Sequence, residues 1–142
     1  MPGTPPSKKL KDLLATHVCT SGWQIEIGAM PAEPHRVIMI TDTQSPNEPN
    51  PKYLLDFPTC QVMVRGEASG YLATYAEANA VKDLLLGVDS FTTTDGDRLT
   101  SITQNGDLGS IGRDENMHPL FSMNFALIVE PQVVGNSNRL AL

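Results

Sequence analysis

The stretch FPTCQVMVRGEASGYLATYAEANAVKDLLLG, Phe57 to Gly87, decides the fold. Cys60, Val62 and Val64 alternate with Gln61, Met63 and Arg65, the period of a strand with one buried face. Ser69-Gly70 breaks that pattern, and Tyr71 to Leu86 is the best helical segment in the chain. Gly87 stands where a helix C-terminus favours a left-handed residue. The expected centre is a strand, a tight turn and a helix folded back over the sheet. On the helix, Tyr71, Tyr75, Ala78, Val81 and Leu85 form one apolar stripe, and Leu72, Ala76 and Leu86 form a second beside it. So wide an arc exceeds what packing on one sheet requires and points to a second surface, such as a neighbouring subunit.

Upstream, Met1 to Pro6 is Pro-rich and reads as a flexible tail. Ser7 is placed to cap a helix carrying Leu10, Leu13, Leu14, His17 and Val18 on one stripe. The Lys8-Lys9 pair in its first turn opposes the helix dipole, so packing must hold it. Gly22 to Gly28 and Arg36 to Thr41 read as strands, joined by Met30-Pro31-Ala32-Glu33-Pro34 as a hairpin loop. Residues 41–58 hold Pro46, Pro49, Pro51 and Pro58 and cannot form a central strand. They make either a disordered insertion or a projecting arm, with Tyr53, Leu54 and Leu55 available for burial.

Downstream, Asp95-Gly96 between Phe91–Thr94 and Asp97–Ile102 signals a tight hairpin. Asn105 to Asn116 reads as a glycine-rich loop, and Leu120 to Val129 as a strong strand ended by Pro131. Residues 132–142 show no period and read as a C-terminal tail. The order predicts one α+β domain over residues 1–142, with helices packed on a mainly antiparallel mixed sheet.

The totals exclude several function classes. A chain of 142 residues with 40% hydrophobic and 18% charged residues supports a real core. A net charge of −6 argues against gripping a nucleic-acid duplex, which needs clustered Lys and Arg. The longest apolar run, Phe125 to Val129, is far too short to span a membrane, and Lys8, Lys9 and Lys11 break up the only candidate for an N-terminal apolar signal region. Cys19 and Cys60 lack metal or redox spacing and read as small buried thiols, with a disulfide as the alternative. Soluble and intracellular at synthesis is the resulting expectation.

No motif carries chemistry. Gly106, Gly109 and Gly112 have the wrong spacing for a dinucleotide loop, lack the Gly-Lys-Ser/Thr of a phosphate loop, and sit beside Asp107, Asp114 and Glu115. Asp95-Gly96-Asp97 lacks the further oxygen ligands of a calcium loop. His17, His35 and His118 support no nucleophile in a recognised setting, and His17 reads as a half-buried histidine or a ligand. The expectation is a protein without enzymatic activity, cofactor or metal.

Three segments together resemble the tail terminator and minor capsid proteins of tailed bacteriophages. They are YLLDFPTCQVMVRG (Tyr53 to Gly66), YAEANAVKDLLLG (Tyr75 to Gly87) and GRDENMHPLFSMNFALIV (Gly112 to Val129), in that order. The resemblance implies a small α+β domain that forms a homohexameric ring at the head-proximal end of the tail tube. Such a ring stops tube polymerisation and provides the surface to which the head attaches. It implies as partners other copies of the chain, the tail tube protein and head–tail connector or neck proteins. The DNA path runs through the ring without sequence-specific binding, and no membrane is involved. The implied location is the virion, after assembly in the host bacterial cytoplasm. Arg65 and the run Arg113-Asp114-Glu115 match charged family positions and become candidate subunit or tube contacts, with Tyr75 beside them from the helix stripe. The alternative for Arg65 is a solvated charge capping a sheet edge. Met117-His118-Pro119 departs from the family pattern, where a more basic stretch is expected. Competing functions are another head–tail connector or tail completion protein, or, from a different class, a small hydrolase or nucleotide-binding domain.

Overall fold

The computed structural model describes residues 3–17, 21–49 and 55–137. Cys19, Val18, Tyr53 and Leu54 of the sequence reading lie outside them. The described elements are helix α1 (Pro6–Ala15), strands β1 (Gln24–Ile27), β2 (Val37–Thr43) and β3 (Thr59–Arg65), helix α2 (Tyr71–Leu86), and strands β4 (Phe91–Thr92), β5 (Arg98–Gln104), β6 (Gly109–Arg113) and β7 (Pro119–Glu130). A short 3-10 turn at Val134–Asn136 follows. The strands form one mixed sheet in the order β1-β2-β3-β7-β5-β4. β7 is its spine: β3 runs along one side, while β6 and then β5 pair end to end along the other. This is the α+β architecture expected, and all strand pairs but one are antiparallel.

The alternation read from the sequence sets the core. Ile38 and Ile40 of β2, Cys60, Val62 and Val64 of β3, and Phe121, Met123 and Phe125 of β7 are register neighbours and all buried. The two helices cover this face: α1 packs on β1, β2 and β3, and α2 on β7, β3 and β5. From α1 come Leu10 and Leu14, and from α2 Ala78, Val81 and Leu85. Continuous burial of this apolar face is the main stabilising term.

Several expectations are revised. β1 and β2 pair in parallel, so residues 28–36 form a return loop and not a hairpin. Nine residues can span about 30 Å, ample to retrace a strand of four. Residues 105–116 are not all loop, because Gly109–Arg113 is a strand against β7 with a bulge between Ser110 and Gly112. All five of its residues are exposed, so neither face imposes an apolar alternation. Gly87 ends α2 in the right-handed region (φ −89°), its N–H donating to the Asp83 and Leu84 carbonyls.

Nor does Ser7 cap α1, which already begins at Pro6. Ser7 lies buried inside the first turn, and its N–H and hydroxyl both donate to the Asp42 carboxylate, at 2.9 and 2.6 Å. That anion, brought from β2, supplies the charge complement the helix N-terminus lacked in sequence. Thr4 is also fixed, donating through both its N–H and hydroxyl to Asp95. His17 falls just beyond the helix and is exposed, with its N–H on the Leu14 carbonyl. The Asp95-Gly96 hairpin forms as read, with Gly96 at φ +94°.

Candidate functional site

Two polar clusters hold the ends of the sheet together. At one, Lys9 is only 4% exposed; its ammonium lies 2.9 Å from Asp95, 3.5 Å from Asp97 and 2.8 Å from the Thr4 carbonyl. Burial alone would raise the Asp95 carboxyl. Donors from Thr93, Thr4 and Lys9 outweigh it and hold the group well below the usual carboxylate range. Asn136 adds bonds to the Asp95 carbonyl and the Asp97 carboxylate, tying the 3-10 turn to the hairpin. An open cleft of about 550 Å³ beside this cluster is lined by residues of the 44–49 and 55–58 segments, including Asn47 and Phe57. Its charges are committed to one another, and an aspartate held this low has no proton to exchange near neutral pH. The cluster acts as a clamp on the chain ends.

At the other end, the β3 strand places Arg65 against the return loop. The guanidinium donates to the carbonyls of Pro34 (2.7 Å), His35 (3.0 Å) and Ala32 (3.5 Å) and is 5% exposed. β3 is an interior strand, so Arg65 neither caps an edge nor lies in solvent. Its observed work is to fix the loop that makes β2 parallel to β1.

The remaining candidates gather at one corner, where β6 turns into β7 beside the start of α2. Arg113 donates to the carbonyls of Ala68 (2.8 Å) and Met117 (2.6 Å), and its guanidinium stands 6.0 Å from the Tyr71 ring centre. Asp114 accepts the backbone N–H groups of His118 (2.8 Å) and Asn116 (2.9 Å) and meets the His118 ring at 3.2 Å. Partial burial would raise its carboxyl, but these donors hold it below the ordinary value. Glu115 is exposed at the tip of the turn, and Met117 follows with φ +66°. Tyr75 is 46% exposed and lies edge-on to Phe121, 5.7 Å between ring centres. The structure thus joins Arg113, Asp114, Glu115 and Tyr75 in one region and sets Arg65 under the neighbouring loop.

His35 and His118, read from the sequence as separate histidines without a role, meet at this corner. Their ring centres lie 4.3 Å apart with the planes tilted by 41°, and His35 is bracketed by Glu67 and Glu33 at 3.0 and 3.1 Å. The hydrogen bond to Glu67, then the charges of Glu33 and Glu67, raise the His35 imidazole despite some desolvation. Residues so far apart in sequence gave no signal, since only the parallel return of the loop brings them together. Tyr71 and Leu72 continue the exposed surface along α2, with Leu72 at 81% exposure. This flank can make contacts through tyrosine and guanidinium groups, residue types enriched at protein–protein hot spots, with Leu72 adding apolar area.

A model of the bacteriophage tail terminator protein family matches residues 13–131. The chain belongs to the bacteriophage tail terminator family. It is a structural protein of a phage-like tail, which agrees with a site built from contact-making side chains. A solved chain from the virion of a native gene transfer agent particle superposes with a TM-score of 0.72, covering 89% of this chain and 95% of that one. At 16% identity this likeness establishes the shared fold alone. No curated protein sequence matches.

Proposed function

We propose that this tail terminator forms a homohexameric ring at the head-proximal end of the tail tube, stops tube polymerisation there and offers the head its attachment surface. The observation that carries the reading is the family match across residues 13–131, most of the chain. The geometry supports it. The charged groups Lys9, Asp95, Asp97 and Arg65 are spent on internal ties, while an apolar flank on α2 stays open to a partner. Tyr75, Arg113, Asp114 and Glu115 are the proposed contacts with a neighbouring subunit or the tube, and Arg65 contributes by holding the adjoining loop. The protein acts by shape and by contact with itself, the tube protein and neck proteins, with DNA passing through the ring unread.

The test is tube growth in vitro. Added to polymerising tube protein from the same virion, the chain is expected to give tubes of uniform length and to be found at one end of each. An unchanged length distribution with no end-bound protein refutes the reading.

A further inference from the structure

Two surfaces on opposite flanks of the sheet complement each other. Lys82 reaches Asp107 in the β5–β6 connection, and Tyr71 faces Arg113 of β6. These contacts turn the exposed stripe of α2, with Tyr75, Leu72 and Leu86, toward the β6 flank. The stripe is exposed, and the charged side chains around it are more acidic than basic: Glu115 and Asp83 are exposed, Asp107 is 80% exposed and paired with Lys82, and Arg113 is the opposing cation at Tyr71.

At the other flank, α1 and the edge strand β1 enclose an open groove of about 610 Å³. Trp23, Ile25 and Ala15 give it an apolar floor, and among the described residues Lys11 is the cation lining it. Arg36 adds a further cation, 5.9 Å from the Trp23 ring centre and 4.0 Å from Glu67. An exposed apolar stripe with mainly acidic surroundings thus faces away from a concave apolar groove with a basic rim. Two different, mutually complementary surfaces on opposite sides of one chain generate head-to-tail association, and such contacts close into a ring when the rotation permits.

We propose that the α2 stripe, led by Leu72 and Tyr75, seats in the α1–β1 groove of the next copy of this chain. The contact rests on the ring reading and specifies which faces build it. Leu72 and Ala15 are exposed, so an arginine at either one blocks a face without disturbing the core. Leu72→Arg blocks the stripe and leaves the groove; Ala15→Arg blocks the groove and leaves the stripe.

Native mass spectrometry and sedimentation velocity read the outcome. The parent is expected to form oligomers, and each variant alone to self-associate at least tenfold more weakly and run as a monomer. A mixture of the two variants then has one working contact per pair and should stop at a one-to-one dimer. Variants that assemble like the parent overturn the contact and leave the ring standing. Single variants that dissociate but give no dimer on mixing also overturn the head-to-tail pairing. A parent that stays monomeric up to about 1 mM, the regime of very weak association, overturns both the ring and this contact. Cooperative melting at the temperature shown by the parent when diluted to its dissociated form verifies folding, and Ala76→Arg and Thr16→Arg replace any variant that fails it.

Discussion

Glu77 offers a quantitative test of the packing between α2 and the sheet. It is 8% exposed on the inward face of the helix, and one carboxylate oxygen has no hydrogen-bond partner among the described residues. Burial without a compensating cation pushes its carboxyl from the ordinary 4.5 up to about 7. The folded state therefore holds the Glu77 proton over a range where the unfolded chain has released it. Stability from this group is fully present below about pH 4.5 and declines as pH rises toward 7. At about 1.4 kcal/mol per pKa unit, the shift corresponds to about 3 kcal/mol.

Glu77→Gln removes the titration while keeping nearly the same shape. The amide carries its own burial cost, but that cost does not change with pH. The measured quantity is the stability difference between variant and parent, from urea unfolding at pH 4 and at pH 8. It should move by about 3 kcal/mol in favour of the variant between the two, or about 6–12 °C in Tm for a domain of this size. Other titrating groups cancel in the difference. A variant-minus-parent difference that stays flat within about 0.5 kcal/mol across that range refutes the claim that α2 buries an uncompensated acid.

Three further outcomes follow from particular contacts. A Cβ on Gly66 would lie 1.8 Å from the Thr74 hydroxyl, which itself donates to the Gly70 carbonyl; Gly66→Ala should cost about 1–3 kcal/mol in chemical unfolding, and Thr74→Ser should not relieve it. Lys9→Met leaves Asp95 and Asp97 buried without their cation and should lose about 3 kcal/mol or more at pH 7; because Asp95 is held low when folded, parent and variant should converge as pH falls below about 4. Burial and then the Asp42 charge push the Cys60 thiol up to about 12, so alkylation followed by peptide mapping should leave Cys60 unmodified in the folded chain and modify it in urea.

What the sequence made legible was whatever depends on local period. β3 and β7 are half-buried, so their alternation is written in Cys60, Val62 and Val64 and in Phe121, Met123 and Phe125, and both were readable. The bounds of α2 were readable because its apolar positions recur at helical spacing. The direction of β1 was not, because a return loop and a hairpin loop have the same Pro- and Gly-rich composition. The loop is held from another strand, by Arg65 on three of its carbonyls, a contact that neither segment displays alone. β6 was hidden for the opposite reason, since exposure on both faces leaves no pattern to see. Of the candidate site, Tyr75 was found through the surplus width of the α2 stripe and Arg113 through resemblance. The His35–His118 ring contact depends on two non-local turns and could not be read from either segment alone.

These differences share a physical origin. Several polar side chains tie together segments far apart in sequence: Asp42 on the start of α1, Lys9 on the hairpin, Arg65 on the return loop, Asn136 on the Asp95 carbonyl and the Asp97 carboxylate. A buried charge that loses its partner is costly, so each tie fixes one arrangement of loops around the sheet. A rigid frame of this kind lets exposed groups be placed accurately without being held by their own bonds. Leu72 and Tyr75 need nothing beyond the helix that carries them, and the groove beneath Arg36 and Lys11 needs only the packing of α1 on β1. A protein that works by fitting against copies of itself benefits from that separation. Substitutions in the ties should therefore change stability first and association only as a consequence, whereas Leu72→Arg should do the reverse, losing association while keeping the melting temperature of the dissociated parent.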